Sequence, residues 1–148
     1  MELITLERTG KAPLQFVGKL LATANGQFVG ARPNSPNVHW FEISIYLAET
    51  DVSRPLIVAI VYRKHLKNVS LAVHVAECPS TLIGESPDAV ATYLETFDPL
   101  KLIHGYPPGA NFAARQQRLE KMLQIQFGML VSAVLTDYPA TLKQGITP

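Results

Sequence analysis

The chain predicts an α+β domain: an antiparallel β-meander of four to six strands followed by a short helix and a long C-terminal helix. Three observations carry this expectation. Apolar residues alternate with period two in the first half and repeat every 3.6 residues in the second. The junctions between these runs hold turn and cap residues. The 148 residues, 47% hydrophobic and 17% charged, suit one globular domain spanning 1–148.

Ile4–Arg8 reads as a short strand, and Leu14–Ala22 as a second strand containing Phe16 and Leu20. Asn25-Gly26 follows as a hairpin signal, since both residues tolerate the positive φ of a type I′ turn. Arg32–Asn37, with two prolines, reads as a loop. Val38–Ala48 then places Phe41, Ile43, Ile45 and Leu47 on one face, with Trp40, Glu42, Ser44 and Tyr46 on the other. Leu56–Lys64 is apolar on both faces, as a covered central strand should be, and Val69–Glu77 alternates again.

Turn lengths set a register for these three strands. A loop at Glu49–Arg54 puts Leu47, Ile45, Ile43 and Phe41 beside Leu56, Val58, Ile60 and Tyr62. A four-residue loop at His65–Asn68 puts Tyr62, Ile60 and Val58 beside Leu71, Val73 and Val75. Both registers gather the large aliphatics on one side, and a one-residue slip would scatter them.

Ser86-Pro87 opens the short helix as an N-cap followed by proline, and Val90, Tyr93, Leu94 and Phe97 form its buried stripe. Asp98-Pro99 ends it, and Leu100–Ile103 forms one further turn. Asn111 caps the long helix, which is expected to run to about Asp137. Arg115, Arg118 and Lys121 mark an exposed side in its first half. Its second half is apolar around almost the whole circumference, from Met122 to Leu135. One sheet face cannot bury that surface, so a homodimer through the Met122–Leu135 segment is expected.

Several function classes drop out. The uncharged run between Lys121 and Asp137 is fifteen residues long, short of the roughly 20 apolar residues of a membrane span. The first residues lack the basic and apolar regions of a secretory signal, so a soluble cytoplasmic protein without a membrane partner is expected. Cys78 is the one cysteine, which excludes an internal disulfide. His39, His65, His74 and His104 are scattered without ligand spacing, and no metal or other cofactor is expected. No phosphate loop or other diagnostic catalytic motif is present, so the expected role is non-catalytic binding or regulation.

Two surfaces remain as candidates. Net charge is +1, but residues 1–75 hold eight Lys and Arg against five Asp and Glu. Arg63, Lys64, His65 and Lys67 meet at one hairpin tip. Antiparallel strands followed by a long dimerising helix resemble, in element order, the Whirly-type single-stranded-DNA regulators. That resemblance implies single-stranded nucleic acid as a partner, and Trp40, Arg63, Lys64 and Lys67 are the residues for it. The alternative is a small-molecule site or enzyme on the second sheet face. There the register puts Ser44, Ala59 and His74 in one row with Tyr46 beside them. Ser44 and His74 are then two strands, nearly 10 Å, apart, too far for direct activation of the hydroxyl. A third reading is an assembly subunit whose second face is fully covered.

Overall fold

The computed structural model describes residues 2–8, 11–27, 38–49, 56–65, 73–77, 87–102 and 112–146. Five strands, β1 (Glu2–Arg8), β2 (Lys11–Asn25), β3 (Val38–Ala48), β4 (Leu56–His65) and β5 (Val73–Glu77), form one antiparallel sheet in sequence order. Helix α1 (Pro87–Thr96), a 3-10 turn (Pro99–Leu102) and helix α2 (Phe112–Ile146) follow. The α+β meander is thus the fold of the chain. Ser86, Asn111 and the Arg32–Asn37 loop lie outside the described residues.

Alternation in β3 produces the core directly. Phe41, Ile43, Ile45 and Leu47 are buried while their neighbours Trp40, Glu42, Ser44 and Tyr46 are half-exposed. Each pairs as the pattern demands: Leu47 with Leu56, Ile45 with Val58, Ile43 with Ile60 and Phe41 with Tyr62. Helix α2 lays Leu119, Leu123, Phe127, Leu130 and Val134 over this face, and α1 adds Val90 and Leu94. Burying each such side chain contributes about 1.5–3 kcal/mol, so this layer dominates the stability of the fold.

Among the described residues one polar side chain, His39, is buried in the core, 2% exposed. Its Nδ1 shares a 2.6 Å hydrogen bond with the Tyr62 hydroxyl, and the two rings stack at 5.9 Å. Tyr62→Phe removes one partner from a buried imidazole. It is expected to lower the unfolding free energy by about 1–2 kcal/mol, readable by urea titration.

Three expectations need correction. The chain does not reverse at Asn25-Gly26. Asn25 pairs with Glu42, and the Gly26 N–H donates to the Phe41 carbonyl at 2.7 Å, so the ladder continues through both residues. Here glycine serves a close approach: a Cβ at Gly26 would overlap the Gln126 carboxamide. That carboxamide completes the ladder from the helix. Its Oε1 accepts from the Phe41 N–H at 2.8 Å, and its Nε2 donates to the Gln27 carbonyl at 2.6 Å. Gln126→Leu keeps the volume but leaves both backbone groups without this partner. The expected loss is about 1–3 kcal/mol in chemical denaturation.

The second correction concerns β5. Ile60 lies opposite Glu77 and Tyr62 opposite Val75, where Val73 and Leu71 were expected. His65 belongs to β4, paired with Val38, rather than to a turn. The displacement is four residues, and alternation of period two cannot distinguish registers that differ by an even number. Residues 69–72 of the expected strand lie outside the described residues. Third, α2 passes Asp137 and continues to Ile146, a length of roughly 52 Å at 1.5 Å per residue. Pro139, which has no N–H to donate to the Leu135 carbonyl, lies within this span.

Candidate ligand-binding site

The sheet curls strongly. Its two edge strands, β1 and β5, approach within 8 Å between Cα atoms although three strands separate them in the order. The curl brings β1 over the face opposite α2 and forms one wall of a half-open pocket of about 300 Å³. Thr5, Leu6 and Glu7 of β1 share this pocket with Ala59, Val61 and Arg63 of β4. Thr23 and Asn25 of β2 and Glu42, Ser44 and Tyr46 of β3 complete the wall. A β-bulge between Leu20 and Ala22 in β2 changes which alternate residues face this side, so Thr23 lies opposite Ser44 and Asn25 opposite Glu42.

The wall is polar along one side and small at the bottom. Ala59 is 2% exposed, and its methyl leaves the space above it open. The Arg63 guanidinium donates through Nε to Glu42 Oε2 at 2.5 Å, with side chains 32% and 25% exposed. Such a half-exposed ion pair adds about 0–1 kcal/mol to stability. Its stronger effect is to hold two opposite charges in fixed places. Among the described residues the contact engages one donor of five on Arg63 and one oxygen of Glu42, which leaves the Nη donors and Glu42 Oε1 to meet a ligand. The hydroxyls of Thr23 and Ser44 share a 3.0 Å hydrogen bond. Tyr46 is set by an edge-to-face contact with Phe16, centroids 5.6 Å apart.

The structure brings Ser44, Tyr46 and Ala59 together in this wall but separates His74 from them. His74 pairs with Arg63 and therefore belongs to the Trp40–Arg63 row. That row is four residues, about 13 Å, along the strand from the Ser44–Ala59 pair. The expected Ser44–Ala59–His74 row is thus corrected, for the even-numbered reason that displaced β5. The described partner of the Ser44 hydroxyl is a second hydroxyl, which is no base. Among the described residues no three His, Cys, Asp or Glu side chains gather where they could hold a metal ion.

The nucleic-acid set is distributed differently. Trp40 and Arg63 face each other across β3 and β4, two register positions from the Glu42–Val61 pair, and Arg63 is also part of the pocket wall. Lys64 pairs with His39 near the end of β4, and Lys67 lies outside the described residues. No protein-family model, curated protein or solved structure matches this chain. Among the described residues no helix is long and apolar enough to cross a membrane.

Reasoning from sequence missed the contribution of β1 and of the far end of β2. Thr5, Leu6, Glu7, Thr23 and Asn25 went unassigned because Asn25 read as a turn and β1 had no register. The β1 alternation was a usable signal. The curl that carries β1 over the sheet was not, because curl depends on bulges and strand twist.

Proposed function

We propose that the chain is a non-catalytic, cytoplasmic binding module that holds a small polar molecule in the curled second face of its sheet. The Glu42–Arg63 pair, open on both members inside a 300 Å³ pocket, is the observation that carries this reading. Two fixed opposite charges beside hydroxyls suit a compact ligand bearing a carboxylate next to an ammonium or hydroxyl group. The carboxylate would take the Arg63 Nη groups, and the neighbouring donor would take Glu42 Oε1. A pocket of this size lies at the small end of ligand sites, which argues for a molecule of amino-acid or hydroxy-acid dimensions. The reading includes self-association of the chain through the Met122–Leu135 segment of α2.

Single-stranded nucleic acid, met through Trp40, Arg63, Lys64 and Lys67, is the competing ligand. Glu42 weighs against it: it stands 2.5 Å from Arg63 and repels any anion placed there, and a DNA phosphodiester brings no neighbouring ammonium or hydroxyl to meet Glu42 in return. One thermal-melt experiment separates the two. The purified chain is heated with a panel of free amino acids, hydroxy acids, polyols and nucleosides, and separately with oligothymidylate at low salt. A ligand at 100 times its Kd adds about 2.7 kcal/mol, so at least one amino acid or hydroxy acid is expected to raise Tm by several degrees. Stabilisation by oligothymidylate alone, or by nothing in the panel, would overturn the reading.

A further inference from the structure

We propose that the Thr23–Ser44 hydroxyl pair reads the far end of the ligand, so that the pocket takes an amino acid or hydroxy acid whose short side chain ends in an uncharged hydroxyl or carboxamide. This rests on the reading of Glu42 and Arg63 as the seat of the ligand's carboxylate and its neighbouring donor, and adds what the site selects beyond them.

The register fixes where the charged and the hydroxyl groups of the wall stand. On the pocket face of β3, Glu42 lies between Asn25 and Val61, and Ser44 between Thr23 and Ala59. All six residues line the pocket. Two residues along an antiparallel strand span roughly 7 Å, the reach from an amino-acid carboxylate to the end of a side chain of two or three carbons. Along the β3–β4 wall, Arg63 stands at one end of the pocket and Tyr46 at the other. A molecule held at Arg63 and Glu42 therefore stays within the pocket by extending toward Ser44. Beyond Ser44 the next row is large, Tyr46 between Leu20 and Ile57, so the hydroxyl pair is the polar group such a ligand meets before the wall closes.

Hydrogen-bond capacity then selects the chemistry of that far end. A hydroxyl offers one donor and two acceptor sites. Among the described residues, the 3.0 Å bond between Thr23 and Ser44 uses one O–H and one lone pair, which leaves an O–H and lone pairs to meet a ligand. A group that both donates and accepts, as a hydroxyl or a carboxamide does, satisfies both kinds of site at once. A carboxylate there fares worse. Arg63 is the one cation among the described residues of the wall, and it is taken by the first carboxylate, whereas Glu7 and Glu42 are anions already present. An apolar end fares worse too, because it strips water from the two hydroxyls and returns no hydrogen bond.

Isothermal titration of the full chain with glutamine, glutamate and norvaline, each also as its 2-hydroxy acid, tests this with side chains of nearly equal length. In the amino-acid or the hydroxy-acid series, the carboxamide is expected to bind about tenfold or more tightly than the carboxylate and the apolar analogue. Replacing both hydroxyls, Thr23→Val with Ser44→Ala, is expected to bring the carboxamide down to the affinity of the apolar analogue, whose own Kd changes little. Far-UV circular dichroism checks that this variant is folded, and a loss of selectivity at retained apolar binding is not something misfolding produces. A wild type that binds the carboxylate or the apolar analogue as tightly as the carboxamide would overturn the selection by hydroxyls while leaving the Glu42–Arg63 seat standing. So would a double variant that keeps the wild-type preference. A chain that binds no amino acid or hydroxy acid at all would overturn both.

Discussion

Phe41→Ala is expected to destabilise the chain by about 3–5 kcal/mol, measured as the shift of the urea unfolding midpoint at unchanged slope. Phe41 is fully buried at the point where the sheet, α2 and the end of the β2–β3 ladder converge. Its ring meets Tyr62 at 5.5 Å and Phe127 at 5.4 Å between centroids. Its backbone N–H donates to Gln126, and its carbonyl accepts from Gly26. Truncation leaves a cavity bounded by two aromatic rings on separate elements, which cannot collapse together without moving the helix. A loss near 1 kcal/mol would mean that α2 is not seated on this face. Domains are commonly stable by only 5–15 kcal/mol, so the expected loss is a substantial part of the total.

Arg63→Glu has the largest effect expected on binding. It removes the Nη donors and places a carboxylate beside Glu42, in a wall that already includes Glu7. A ligand carboxylate would then meet repulsion where it had a charge-assisted contact. Loss of one partner from such a pair typically costs about 2–5 kcal/mol, so isothermal titration with the amino acid or hydroxy acid that stabilises the wild type should show binding weakened at least thirtyfold. The fold should survive, since the Arg63–Glu42 pair is half-exposed and contributes little to it. Binding that persists in Arg63→Glu would place the ligand elsewhere.

The sequence makes the core legible because burial and alternation are the same fact in β3. Every apolar residue of the Phe41–Leu47 series is inward, and a one-residue slip would have exposed all of them. The register of β3 on β4 follows from that series and from the loop between them. The register of β5 does not, since Val73 and Val75 satisfy alternation at several even offsets. Asn25-Gly26 misled for a different reason: glycine is favoured both by a tight turn and by a helix pressed against a strand. Only the position of Gln126, one hundred residues away along the chain, distinguishes the two. In the candidate site, Ser44, Tyr46 and Ala59 could be read from the second face of β3 and β4. The roof of the pocket could not, because it comes from curl of the sheet rather than from any local pattern.

The surplus apolar residues divide between two places. Ile57 and Ala59 are buried on the second face of the sheet, while Met122, Ile125 and Met129 remain outward on α2. The former line or adjoin a polar pocket, and the latter form one exposed stripe of the helix. The pocket and the outward side of α2 lie on opposite sides of the sheet.

Mapping amide chemical shifts of the labelled chain during titration with the stabilising amino acid or hydroxy acid tests the central claim most directly. Perturbations are expected at Thr5, Glu7, Thr23, Glu42, Ser44 and Ala59, four strands that only the curled sheet brings to one pocket. Perturbations confined to α2, or to Trp40 and Lys64 with the pocket residues unmoved, would contradict it.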